Sequence, residues 1–254
     1  MPASANLKET APAFCLFKVP SGNSKADFDS QLDEFATKIA QLPTVQKNWA
    51  ALELVVQNSK LDESIVNLGL PAPQQYGAII TQAHSNDHCA ELSNDPSMQE
   101  AIAAAANSGA LADSCVFSAD LHTTVHIPEA DERTHVFGVF KTHPEIPIPE
   151  LHARLERLMD SVMQTVPAAK ANLVQHSLWF PKTDAVSDHI RTAGFEAPKD
   201  DIFVVILETE DETMDKLVEL IQDQTFQNAI TNGLQDYPHL LECSIFCTDV
   251  FPRL

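Results

Sequence analysis

The sequence predicts an α+β protein made of two similar halves, each running β-α-β-β-α-β, and three observations carry that prediction. The first is an echo: Leu92, Asp95, Ser97, Met98, Gln99, Ala101 and Ile102 recur in the same frame as Leu220, Asp223, Thr225, Phe226, Gln227, Ala229 and Ile230. The offset is close to half of the 254 residues, the mark of a duplicated folding unit. The second is that the apolar period switches between strand-like runs and three-and-four spacing in the same order in both halves. The third is shared punctuation. Pro43 and Asn48 return as Pro167 and Asn172, and Gly69-Leu70-Pro71-Ala72-Pro73 returns as Gly194-Phe195-Glu196-Ala197-Pro198.

In the first half, Phe14-Cys15-Leu16-Phe17-Lys18-Val19 reads as a buried strand closed by the turn residues Pro20-Ser21-Gly22-Asn23. Phe28, Leu32, Phe35, Ile39 and Leu42 then fall on one face of a helix that stops before Pro43. Trp49 to Val56 is the second strand, Asp62 to Leu68 a short helix ended by Gly69, and Tyr76 to Ala83 the third strand. A helix over Asp87 to Ala106 and a fourth strand over Cys115 to Val125 complete the unit. The second half repeats it: strand Phe137–Lys141, a helix on Leu151, Leu155, Leu158, Val162 and Val166, and strand Leu173–Phe180. Strand Ile202–Leu207, helix Glu212–Thr231 and strand Cys243–Cys247 follow.

A β-α-β-β-α-β unit is the ferredoxin-like arrangement, an antiparallel sheet with both helices on one face. Its bare face is too large and apolar to stand in water, so a second unit must cover it. The expected domains are residues 1–127 and 128–254, two tandem ferredoxin-like repeats joined near Ile127-Pro128-Glu129-Ala130-Asp131-Glu132-Arg133.

Charge narrows the partners. With 16 Lys+Arg against 36 Asp+Glu the surface repels phosphate backbones and anionic lipid, so neither nucleic acid nor a membrane is an expected partner. There is no apolar run of spanning length, and Met1 to Thr10 carry no secretory pattern, so a cytoplasmic location is expected. Cys15, Cys89, Cys115, Cys243 and Cys247 form an odd set without CxxC spacing and read as free thiols. Seven glycines include no phosphate-binding loop and no Gly-x-Ser-x-Gly elbow, so no nucleotide cofactor is expected.

Val139-Phe140-Lys141, followed by Pro144, Ile146, Pro149, Glu150 and Leu151, resembles the first strand and first-helix entry of the dimeric α+β-barrel superfamily, nearest its EthD-like and stress-responsive A/B-barrel members. Leu16-Phe17-Lys18 with Phe28 is a weaker copy, and Asp95 to Ile102 is similar to the second-helix segment of that group. The chain departs from it in extra helices around Asp62–Gly69 and Val186–Gly194. The resemblance implies two sheets packed into one barrel with a cavity between them, here as a pseudo-dimer within one chain that could pair again as a homodimer. Members use such cavities as cofactor-free monooxygenases, cyclases, isomerases and decarboxylases, as haem enzymes, or for other ligands, and fold alone does not choose among these. No Gly-x-x-Asp-Gly stretch is present, so haem is not expected either.

Candidate site residues cluster in three places. In the fourth strand, Phe117, Ala119, Leu121 and Val125 suit a helix-packed face, which sends Ser118, Asp120, His122, Thr124 and His126 toward the barrel interior. There Asp120 and His122 could exchange a proton with a ligand; a solvated strand end is the structural alternative. Their partners in the second half are read as Thr248 and Val250, which makes the site asymmetric. His84, Asp87, His88 and Cys89 form the second cluster, in which Asp87 serves equally as a helix cap, and no metal set is assigned. Trp49, His176 and Trp179 form the third, either a flat lining for a planar ligand or core rings.

The expected function is a binding protein holding a small apolar, aromatic metabolite or pigment in the barrel, contacted by Trp49, His84, His122, His126, His176 and Trp179. The alternative is a cofactor-independent enzyme of secondary metabolism, a cyclase, monooxygenase or decarboxylase, in which His122 with Asp120 or His84 moves the proton. A barrel filled by its own side chains is the third reading.

Overall fold

Both faces of the strands in this chain are rich in apolar residues, and the fold uses both. The computed structural model describes residues 10–109, 114–127, 133–142, 145–182, 202–210, 214–234 and 243–254. The first half holds β1 (Ala11–Lys18), α1 (Lys25–Ala40), α2 (Pro43–Asn48), β2 (Trp49–Asn58), α3 (Asp62–Asn67), β3 (Tyr76–Ala83), α4 (Asn86–Ser93), α5 (Pro96–Asn107) and β4 (Ser114–His126). The second holds β5 (Thr134–Lys141), α6 (Ile148–Thr165), α7 (Pro167–Asn172), β6 (Leu173–Pro181), β7 (Ile202–Thr209), α8 (Asp215–Gln222), α9 (Gln224–Leu234) and β8 (Cys243–Pro252).

The strands close into one barrel in the order β1-β3-β2-β8-β5-β7-β6-β4, with antiparallel pairing throughout. Each half supplies four adjacent strands, β4-β1-β3-β2 and β8-β5-β7-β6, so the halves meet at two seams, β2–β8 and β4–β6. Closure leaves no bare sheet edge.

The echo seen in the sequence marks a helix start. Asp95 accepts from the backbone N–H of Ser97 and Met98, and Pro96 occupies the first turn of α5, where its missing N–H costs nothing. Asp223 does the same for Phe226 N–H at 2.8 Å. A cap here ends the preceding helix, so the single helices expected over 87–106 and 212–231 are each two, α4 with α5 and α8 with α9. Gly69, at φ +79°, ends α3 in the left-handed region. Gly77 has a different role: a Cβ there would lie 2.6 Å from Leu32 Cδ2, so its absence lets α1 close onto β3.

Two layers of core result. Inside the barrel, Phe14 of the first half meets Phe117 at 5.7 Å, Phe137 at 6.2 Å and Trp179 at 5.7 Å, while Phe246 meets Phe137 at 6.2 Å and Tyr76 at 5.6 Å. Outside it, Phe28, Leu32, Phe35, Ile39, Met98 and Ile102 pack on Phe17, Leu52, Leu54 and Ile79. In the second half the outer layer includes Met159, Val162, Leu173 and Leu220, with Leu151, Leu178, Phe180 and Phe203 as its neighbouring cluster. Among the described residues no helix is long and apolar enough to cross a membrane. The helix expected over Val186–Gly194, the repeat Gly194–Pro198, the linker residues 128–132 and Pro144 lie outside the described residues.

Candidate functional site

The barrel interior is apolar in its middle and polar at both ends: Gln57 and Ser244 lie at one, and acidic and basic groups gather at the other. Alternation along each strand puts Phe137 and Val139 of β5 inside, and therefore His135; it puts Val204 and Ile206 of β7 inside, and therefore Glu208; and it puts Val55 of β2 inside, and therefore Glu53. Pairing brings His135 opposite both Glu208 and Thr248, Glu208 opposite Gln175, and Glu53 opposite Ile80. Arg133, just before β5, donates to Glu208 Oε2 at 2.6 Å and to Gln175 Oε1 at 3.4 Å. His135 Nε2 lies 3.8 Å from Glu208 Oε1.

Low-dielectric surroundings tune these groups. Burial raises the Glu53 carboxyl above its ordinary value, Glu208 raises it further, and Arg133 pulls it back. Burial lowers the His135 imidazole, against the opposing pull of Glu208. The hydroxyl of Thr248, buried beside His135, has no hydrogen-bond partner. A proton acceptor, a paired guanidinium and an unsatisfied hydroxyl thus adjoin one another, and their charges reach a carboxyl that holds its proton more readily than usual.

The sequence-predicted residues are distributed differently. Phe117, Ala119 and Leu121 belong to the barrel interior, so Ser118, Asp120 and His122 point outward, the reverse of the expected facing. The reason is that an eight-stranded barrel is filled by its own inward side chains and claims the bulkiest apolar set, whereas the outer face of β4 reaches the edge of α6. Asp120 and His122 do touch, Oδ2 to Nε2 at 3.1 Å, but both are partly exposed. A register shift between Thr123 and Val125 turns His126 back to the inner side, 3.3 Å from Gln175 at the barrel mouth.

His176 is buried on the outer face, bonded to Thr124 Oγ1 at 2.7 Å, and burial pushes its pKa down to about 4. Trp179 lies inside the barrel, with its Nε1–H donating to Ser177 Oγ at 3.0 Å. Trp49 packs under the helices of the first half, away from the interior, because the shift between Trp49 and Ala51 and the apolar underside of the helices draw the ring outward. His84 is exposed and meets His88 edge-on at 5.8 Å, so it does not join His122. Asp87 does not cap α4; Ser85 does, accepting from His88 N–H. The Thr248 and Val250 pairing is also corrected: Phe14 faces Phe117 as Phe137 faces Phe246, which sets Asp120 against Asp249 and His122 against Phe251.

Sequence reading passed over Glu53, Arg133, His135 and Glu208, and also His152 and Glu156. The ring of His152 is 3.8 Å from that of His122, and Glu156 lies one helical turn on. A charged residue inside a strand, as in Leu52-Glu53-Leu54, was the available signal for the first set, and a His and Glu four apart for the second. Three thiols are held in the unreactive protonated form: burial raises Cys15 and Cys115 to about 12 and Cys243 to about 11.

No protein-family model matches the chain, and no curated protein sequence does. Among solved structures, an anthrone oxidase-like protein superposes with a TM-score of 0.56, covering 96% of this chain and 94% of its own at 9% identity. A candidate monooxygenase of Fusobacterium nucleatum superposes with a TM-score of 0.52, covering 95% and 92% at 10% identity. The fold is that of the dimeric α+β barrels. At such identities the likeness is one of fold alone.

Proposed function

We propose that the protein binds a small, planar, largely apolar molecule at the charged end of its barrel and transfers a proton to or from it without a cofactor. The observation that carries this reading is the cluster of Arg133, His135 and Glu208 from one half, whose charges reach Glu53 from the other, with the buried, unsatisfied hydroxyl of Thr248 beside His135. Phe14, Ile80 and Phe137 offer the ligand's body an apolar wall, and the polar set holds its head group. His135, lowered by burial, is the base; Glu53, raised by burial, is the acid; Arg133 steadies negative charge developing on a carbonyl oxygen. The name of the anthrone oxidase-like neighbour supports a planar aromatic ketone as the ligand class. Asp120 and His122, the pair expected from sequence, stand on the other side of the barrel wall and give way to Glu53 and His135 in this role.

The same strand order in both halves, and the inward Phe14 and Phe137 at matching places, support descent of residues 1–127 and 128–254 from one ferredoxin-like unit. The ring contacts favour a second reading, in which the interior is filled and only scaffolds the fold. Native mass spectrometry with an absorption spectrum of the protein as isolated separates them. A bound small molecule that is lost from the Arg133→Ala protein supports the site, with visible absorption marking a pigment; the bare mass in both supports the filled barrel. Turnover with anthrone should fall at least a hundredfold in Glu53→Gln. The same variant should be more stable than the parent at neutral pH. A raised carboxyl contributes stability below its unfolded value and loses it as pH rises through the folded one.

A further inference from the structure

We propose that His122, His152 and Glu156 form a divalent transition-metal site, best suited to Zn2+, that clamps the two halves together on the outside of the barrel. This inference is independent of the ligand site, from which the barrel wall separates it. His122 comes from β4 of the first half; His152 and Glu156 come from α6 of the second, four residues apart and so on one face of the helix. One donor atom from each lies within 4.8 Å of the other two. A tetrahedral zinc site needs its donors about 3.3 Å apart, a change that small side-chain rotations supply.

Three further observations point to a cation. His152 Nε2 is buried, makes no hydrogen bond and lies 3.4 Å from Glu156 Oε1, an i,i+4 contact that presents both ligating atoms to one side of α6. Asp120 holds His122 Nε2 at 3.1 Å, and with Nδ1 as the ligating nitrogen this would be the carboxylate–imidazole–metal pattern that orients zinc ligands. The third comes from the other seam. There Phe251 stands opposite Leu54 as His122 stands opposite Leu178, and the guanidinium of Arg253 pairs with Asp33 of α1. At the seam of His122, two imidazoles meet a carboxylate in the corresponding place. Partial exposure of His122 and Glu156 keeps a fourth position open to water, as in sites that exchange metal readily.

The test is titration of the full chain, after treatment with a chelator, with Zn2+ against a chromophoric competitor and with Co2+ followed in the visible spectrum. One equivalent should bind with a Kd in the micromolar range or below. Bound Co2+ should give the absorption of a four-coordinate ion, and the thermal midpoint should rise with Zn2+ concentration. His152→Gln and Glu156→Gln, which keep side-chain volume, should each weaken binding at least tenfold and remove the thermal shift, while their melts in chelator match the parent. Asp120→Asn should weaken it about tenfold through the orientation of His122. His88→Ala should change nothing. Binding no tighter than millimolar, or binding that His152→Gln leaves intact and His88→Ala removes, would overturn the proposal.

Discussion

The two seams that join the halves occupy equivalent places in the barrel yet are closed by different chemistry. At β2–β8, Arg253 lies over the Phe251 ring at 5.7 Å and its guanidinium pairs with Asp33, while Asp249 holds Lys60 at 3.3 Å and Asn58 at 3.0 Å. At β4–β6, Asp120 reaches Lys182 at 3.9 Å and His122, and His122 meets His152. Beneath the first seam lies Leu52; in the matching place beneath the second lies His176. One seam is closed by a guanidinium–carboxylate pair over an apolar underside, the other by the proposed metal ligands over the buried imidazole of His176. The first should therefore respond weakly, and to salt, whereas the second should depend on pH through His176 and on metal.

The largest expected effect lies in the interior that both seams enclose. Phe14 touches rings of both halves, so Phe14→Ala should cost about 3–5 kcal/mol in chemical denaturation and lower one shared transition. Two separated transitions would show that the halves fold apart. The next concerns His176. Its folded pKa of about 4 lies below the unfolded value near 6.5, so the neutral ring is favoured in the fold. The stability it contributes is complete above about pH 6.5 and is lost as pH falls to about 4, roughly 3 kcal/mol in all. His176→Leu, which copies the other seam, should flatten that part of the pH profile in urea titrations at several pH values. Identical profiles would remove His176 from the acid response. The smallest effect is at the seam with its own cation: Arg253→Ala should cost about 0.5–1 kcal/mol at low salt and less in 1 M NaCl, because the pair is partly exposed.

Much of this barrel was legible in the sequence, since the alternation of strand-like and helical periods is set by local residue spacing. The facing of β4 was not. Phe117, Ala119 and Leu121 fit either a helix-packed or a lumen-packed face, and only the pairing of Phe14 with Phe117 chooses between them. The extra residue at Thr124 then reverses the facing, so that His126 and His122 part company along one strand. Counting offsets placed Val250 against His122, whereas the register places Phe251 there, a slip of one residue that exchanges inside for outside. Glu53, Arg133, His135 and Glu208 come together only because the barrel closes, from segments far apart in the chain. The His152–Glu156 spacing was visible, but its partner on β4 required the packing of α6 across the seam.

The site at the charged end of the barrel is most directly tested through Trp179, which touches Phe14 in the interior while Trp49 lies outside it. In a Trp49→Phe protein, Trp179 is the sole reporter, and anthrone should quench its emission saturably, with affinity at least tenfold weaker once Arg133→Ala or Glu53→Gln is added. Quenching that is linear in anthrone, or that both added variants leave unchanged, would contradict a ligand site among these residues.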